Sequence, residues 1–223
     1  MIQQKITKAR ALFHQSMKKV ARRTERKNTS HIPHIGRKQK SPLLLFAQEV
    51  IQNPREMGAA CPSSAKLARA MAKLVPTQEK GLVIELGAGT GIITQALLQF
   101  GVAPKQLIAL ERSHSLAKYL RQYYPDITVI EGDAQRLQHL LHEQNQPVHT
   151  VVSGLPFRSL PKQVGHNILK QVAHVLPHEG RFIQFTYDLR GNHLTLPSHF
   201  QRVESKFIWS NLPPARVDVY QSL

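Results

Sequence analysis

The stretch VIELGAGTGIITQAL, residues 83–97, decides how the rest of the chain is read. An apolar run meets an acid, Glu85; glycines follow at 87, 89 and 91; then an apolar pattern of helical spacing begins. A short apolar run bounded by turn residues and followed by a helix opens a parallel β–α unit. Gly87, Gly89 and Gly91 permit a tight turn and a close approach of backbone to ligand. A loop shaped for phosphates gains nothing from a carboxylate in front of it, because like charges repel. The G-x-G-x-G spacing also departs from the G-x-G-x-x-G of dinucleotide sites. The implied ligand therefore carries hydroxyls or positive charge and lacks a pyrophosphate.

Working outward, the same alternation repeats. Apolar periodicity predicts strands over 82–86, 107–111, 127–131, 148–153 and 180–187, with helices over 91–100, 114–123, 134–143 and 161–176. Residues 201–209 and 215–221 read as two further strands joined by Asn211-Leu212-Pro213-Pro214, with no helix between them. The expected fold is α/β: a Rossmann-like, seven-stranded, mostly parallel sheet with helices on both faces and a C-terminal antiparallel hairpin. In such a sheet ligands sit beyond the carboxyl ends of the strands. Three of those ends carry unusual residues. The first is Glu85 with Gly87-Ala88-Gly89-Thr90-Gly91. The second is Glu111, followed by Arg112, 20 residues after Gly91 and suited to gripping two ribose hydroxyls. The third is Gly132-Asp133-Ala134, suited to an adenine amine. A ligand with ribose, adenine and an amino group that an acid helps to hold describes S-adenosylmethionine.

Composition bounds the rest. A 223-residue chain that is 41% hydrophobic can bury the core of one α/β domain and is not a disordered segment. A single cysteine, Cys61, excludes a disulfide framework and a cysteine-based zinc site. The histidines lack metal-ligand spacing, so no metal is expected. The longest apolar run, residues 43–47, is far short of the roughly 20 residues that span a bilayer. The net charge of +16 is concentrated at one end: residues 1–40 hold 12 Lys and Arg against the single acid Glu25. Within residues 2–27, Ile2, Ile6, Ala9, Phe13, Met17 and Val20 recur at steps of three and four, among Lys18, Lys19, Arg22, Arg23 and other cations. That pattern is a basic amphipathic helix, the kind that lies in an anionic membrane interface. The organisation expected is therefore residues 1–40 as docking helix and linker, with Phe13, Met17, Lys18, Lys19, Arg22 and Arg23 facing the membrane, and residues 41–223 as the catalytic domain. Extra helices are expected over 41–53 and from Pro62-Ser63-Ser64 to about 75.

The three strand-end signals in order, E-L-G-x-G-T-G, the strand-two acid and G-D-A, resemble the core of the class I methyltransferases. The end of strand four, Ser153-Gly154-Leu155-Pro156-Phe157, resembles the [D/N/S]-P-P-[Y/F] loop of amino-group methyltransferases but is longer and lacks a leading acid or amide. Residues 53–64, Ser153 to Phe157, Gln184-Phe185-Thr186-Tyr187 and Asn211-Leu212-Pro213-Pro214-Ala215 look like the bacterial phospholipid N-methyltransferases. The resemblance implies successive methylation of phosphatidylethanolamine toward phosphatidylcholine by a cytoplasmic protein peripherally attached to the inner leaflet of the cell membrane. Carried over residue by residue, the cofactor contacts are Glu85, Gly87, Ala88, Gly89, Thr90, Gly91, Glu111, Arg112, Gly132, Asp133, Ala134 and Ser153. The catalytic candidates are Tyr187, to orient or deprotonate the amine, Phe157, to face a developing cation, and Ser153; His166 stands behind them. The competing expectation is an rRNA adenine N6-dimethyltransferase, whose core is similar and which a basic tail suits. Against it stand the Ser-Gly-Leu-Pro-Phe loop in place of N-L-P-Y/F, the absence of a helical RNA-binding domain after the sheet, and an amphipathic stripe that RNA does not need; nucleic acid is therefore not the expected partner. A non-enzymatic membrane-binding protein ranks last, since all the cofactor acids are present.

Overall fold

A computed structural model describes residues 65–189, 196–211 and 213–223. The helices expected over 2–27 and 41–53, the docking candidates Phe13, Met17, Lys18, Lys19, Arg22 and Arg23, and Cys61 lie outside the described residues.

Seven strands form one sheet: β1 (Leu82–Leu86), β2 (Leu107–Glu111), β3 (Thr128–Glu131), β4 (Val148–Ser153), β5 (Arg181–Thr186), β6 (Phe200–Ile208) and β7 (Ala215–Ser222). Their order is β3-β2-β1-β4-β5-β7-β6. The first five pair in parallel, while β7 runs antiparallel between β5 and β6. The chain reverses its direction of travel across the sheet between β1 and β4, which opens a crevice at their carboxyl ends. Five helices are described: α1 (Ala65–Ala72), α2 (Ile92–Gln99), α3 (His114–Tyr123), α4 (Leu137–Leu140) and α5 (Lys162–Val175).

Strand alternation sends successive side chains to opposite faces, and each face has its own core. On one face Leu67 and Met71 of α1, Leu97 of α2 and Leu120 of α3 share a core with Val83, Val152, Ile183 and Val217. On the other, Leu137 of α4 and Ile168, Leu169 and Val172 of α5 share a core with Ile84, Leu110, Val151, Phe182 and Tyr220. β1, β2 and β4 are buried along their whole length, which is why β1 and β2 read as apolar runs without alternation; β4 buries His149, Thr150 and Ser153 among its valines.

Two expectations shift. The helix expected over 134–143 is a 3-10 turn, Ala134–Arg136, followed by the single turn of α4. Asp133 caps it tightly by accepting from Gln135 N–H, and bonds to α5 engage its polar groups: Gln138 N–H donates to Gln171 Oε1 and Asn167 Nδ2 to Gln135 Oε1. Local propensity loses to these tertiary partners. Strand five ends at Thr186, not 187, because Asp188 N–H turns back to Thr186 Oγ1.

Candidate active site

The glycine turn is built as its sequence requires. Gly87, Gly89 and Gly91 adopt φ of 71°, 56° and 80°, a region that side chains with a Cβ avoid. Gly87 and Ala88 donate to the carbonyl of Leu110, tying the turn to the end of β2. The loop after β4 closes against it. Gly154 N–H donates to Leu86 O at 2.8 Å, and a Cβ on Gly87 would lie 2.5 Å from Leu155 Cδ2. The cofactor turn and the candidate amine loop are therefore one packed unit.

Glu85 points into the first core, fully buried. Its Oε2 accepts from Thr94 Oγ1 at 2.6 Å, while Oε1 has no hydrogen-bond partner among the described residues. Burial drives its pKa up to about 8; the Thr94 hydroxyl and amide oppose the rise, and Glu111 adds to it. At neutral pH the carboxyl is thus mostly protonated until a cation arrives beside it. Glu111, at the end of β2, is held by both oxygens: Gly89 N–H donates to Oε2 and Ser113 N–H to Oε1, each at 2.8 Å. Asp133 accepts from Gln135 N–H and its side-chain amide. Ala134 is buried beside it, Arg112 is exposed, and Thr90 and Gly132 are partly covered.

Ser153 is buried at the end of β4, with its Oγ accepting from Leu155 N–H at 3.2 Å. Gln184 of β5, paired in register with Ser153, donates from Nε2 to the carbonyls of Leu155 and Phe185. Arg158 and Asp188 form an ion pair that latches the same loop to the end of β5. Phe157 is set into the second core, edge-on to Phe182 with ring centroids 6.2 Å apart. Its ring anchors the loop from beneath. Tyr187 is half-buried against Phe185 at the edge of the first core. The structure therefore gathers the glycine turn, Glu85, Glu111 and the Ser153 loop, and separates Phe157 from Tyr187 by the sheet's two faces. His166 lies exposed on α5.

Sequence reading missed several supports. Thr94 gives no signal beyond a hydroxyl within an apolar helix face. Tyr124 donates from its hydroxyl to Gly91 O at 3.2 Å, and burial followed by the proximity of Glu85 raises its pKa. A buried ion pair on β7 joins Arg216 to Asp218 at 2.8 Å, with Ser205 Oγ donating to Asp218 Oδ1. Among the described residues no group of three His, Cys, Asp or Glu is placed to hold a metal, and no helix is long and apolar enough to cross a membrane.

The residues fit S-adenosylmethionine on two observations. Glu85 leaves a buried acceptor oxygen without a hydrogen-bond partner among the described residues, as a ligand amino group needs, and Gly89 leaves its backbone open, with no atom nearer than 4.0 Å to where a Cβ would stand, while Leu155 and Tyr124 pack into that space at Gly87 and Gly91. Comparisons with known proteins agree. Residues 83–180 match the model of the methyltransferase domain family. The ornithine lipid N-methyltransferase of Singulisphaera acidiphila is 31% identical over 183 residues, covering 77% of this chain and 91% of that protein. The ribosomal RNA small subunit methyltransferase A of Anaeromyxobacter dehalogenans is 36% identical over 115 residues, covering 47% of this chain and 39% of the relative. Among solved structures, the N-methyltransferase NodS from Bradyrhizobium japonicum WM9, in complex with S-adenosyl-L-homocysteine, aligns with a TM-score of 0.58 at 12% identity, over 82% of this chain and 99% of that one.

The chain belongs to the class I S-adenosylmethionine-dependent methyltransferases. Its cofactor is S-adenosylmethionine, and the relative that matches along most of its length is a bacterial lipid N-methyltransferase.

Proposed function

We propose that this protein N-methylates the amine of a membrane-lipid headgroup, phosphatidylethanolamine in steps toward phosphatidylcholine, at the cytoplasmic surface of the cell membrane. The observation that carries the lipid class is the similarity to an ornithine lipid N-methyltransferase over 77% of the chain. The loop geometry supports an amine acceptor: Ser153-Gly154-Leu155-Pro156-Phe157 is packed directly on the glycine turn.

In this reading Glu111 holds the ribose, Asp133 and Ala134 border the adenine, and Glu85 accepts from the amino group of the methionine part. Bound S-adenosylmethionine would supply an activated methyl group on a sulfonium: an amine lone pair would form the N–C bond to that methyl as the C–S bond breaks and S-adenosylhomocysteine leaves. The chain's own part is positioning and electrostatics, which supply most of the rate in such a transfer. The headgroup ammonium must first lose a proton. Tyr187 orients the amine or takes that proton, while Ser153 and the carbonyls of its loop hold the nitrogen in line. Phe157 keeps that loop in place through the core. Residues 1–40 dock on the anionic surface, each Lys or Arg near it contributing about 1 kcal/mol.

The test is methyl transfer from labelled S-adenosylmethionine to three acceptors: phosphatidylethanolamine vesicles containing anionic lipid, ornithine-lipid vesicles and ribosomal RNA. Label in phosphatidylethanolamine is expected, and chromatography then counts the methyl groups added. Label in ornithine lipid alone would replace the headgroup assignment. Label in RNA alone would overturn the lipid reading.

A further inference from the structure

The edge strand β6 ends in an exposed aromatic pair. Phe207 and Trp209 stack with ring centroids 5.6 Å apart and planes 11° from parallel, and they are 43% and 69% exposed. Surface aromatics scattered singly need no explanation, but a stacked pair left in water forgoes burial of two large apolar groups. Its position is specific. Leu86, Ser153, Gln184, Asp218 and Ser205 lie in one row across β1, β4, β5, β7 and β6. Phe207 pairs with Arg216, which pairs with Thr186, two residues further toward the carboxyl ends of the parallel strands. At the rise of a strand that is about 7 Å beyond the row from which the glycine turn and the amine loop spring. The pair therefore stands at the rim of the end of the sheet where the reaction takes place.

Cations border it. Lys66 of α1 donates to Ser210 O, the carbonyl next to Trp209, while Lys206, exposed one residue before Phe207, projects from the other face of the strand. Arg69 is exposed one turn further along α1, and Glu204 is the one acid between 196 and 211. An aromatic tip with exposed cations nearby, at the end of the sheet that carries the site, complements an anionic bilayer surface: rings enter the interface and ammonium groups meet phosphates.

We infer that Phe207 and Trp209 form a second docking element, which enters the interface of an anionic membrane and holds the mouth of the site against the headgroups. It takes its occupant from the lipid reading above. Phe207 and Trp209 belong to a different part of the sequence from the basic stretch at residues 2–27, and the element they form sets how the domain faces the bilayer.

Trp209 is the single tryptophan of the chain, so its emission reports on this contact alone. The full-length protein is titrated with phosphatidylcholine vesicles containing phosphatidylglycerol, with and without brominated acyl chains. A blue shift on binding and quenching by the brominated chains are expected. Phe207→Ser is expected to weaken partitioning by about tenfold to a hundredfold, the partial burial of one large aromatic ring. It is expected to raise KM for vesicle-borne lipid while leaving turnover of a dispersed, water-soluble short-chain lipid intact. Methylation of lipid with neither shift nor quenching would overturn the docking inference and leave the lipid reading standing. A shift with quenching, but no methylation of any lipid, would support docking and overturn the lipid reading. A blue shift that needs no vesicles and grows with protein concentration would mean a second copy covers the pair, and would overturn the inference.

Discussion

Glu85 makes the proton balance of the site measurable. Its folded pKa of about 8 stands above the ordinary value of 4.5, because the carboxyl is buried and the Thr94 bonds only partly offset that burial. The sign follows from linkage. A group whose folded pKa is raised stabilises the fold fully below the unfolded value of 4.5, and that contribution disappears as pH rises through about 8. Between pH 5 and pH 8 the loss from this group alone is about 3–4 kcal/mol. Urea unfolding of the cofactor-free protein across that range, compared with Glu85→Gln, isolates it: the stability of the wild type relative to the variant should fall by that amount from pH 5 to pH 8. Cofactor binding reads the same group from the other side. At pH 7 about nine-tenths of the Glu85 carboxyls are protonated if the pKa is 8. An amino group placed against Oε1 favours the carboxylate and expels that proton. Calorimetric titration with S-adenosylmethionine in phosphate and in Tris, whose ionisation enthalpies differ, should show net proton release at pH 7, less than one per site because the neutral fraction of the ligand's amino groups takes up a proton on binding. The release should be smaller at pH 8.5 and absent in Glu85→Gln. Equal heats in the two buffers for the wild type would refute both the buried neutral acid and its role beside the amino group.

Glu111→Gln should weaken S-adenosylmethionine binding by about tenfold to a hundredfold, the worth of charge-assisted hydrogen bonds to a diol, and should also cost about 1–3 kcal/mol of stability, because the amide nitrogen cannot accept the backbone N–H that one Glu111 oxygen accepts; unchanged affinity by calorimetry would remove Glu111 from the ribose. Gly87→Ala places a Cβ 2.5 Å from Leu155 Cδ2 at a φ of 71°. It should cost about 2–4 kcal/mol in chemical denaturation and weaken cofactor binding, since strain and overpacking add. Tyr187→Phe should lower kcat at least tenfold while leaving the cofactor Kd unchanged, and full activity would mean that the hydroxyl takes no part in handling the amine.

The residues that carry local chemistry were legible without a structure. Three glycines in five positions can serve few purposes other than a left-handed turn, and all three adopt positive φ. Apolar runs at β1 and β2 announced strands covered on both faces, and the acids at 85, 111 and 133 stood at or just beyond the ends of β1, β2 and β3. Strand and helix boundaries came within a residue or two, except at the helix expected to run to about 75, which ends at Ala72, and over 134–143, where side chains of α5 compete for the polar groups.

What only the tertiary structure decided are relations between distant segments. Periodicity announced a closing hairpin but not that β7 would enter between β5 and β6, which leaves β6 on the edge with Phe207 and Trp209 exposed. Nor does a motif foretell that Phe157 is spent on the core, that Gln184 holds the carbonyl of Leu155, or that Arg216 and Asp218 pair in the interior. The protonation of Glu85 belongs here too: its identity is written in the chain, but its pKa comes from burial and from Thr94. Backbone conformation and strand burial follow from neighbours a few residues apart, so sequence determines them. Desolvation, register and side-chain partnership depend on which surfaces exclude water together, and those surfaces exist only once the sheet has formed.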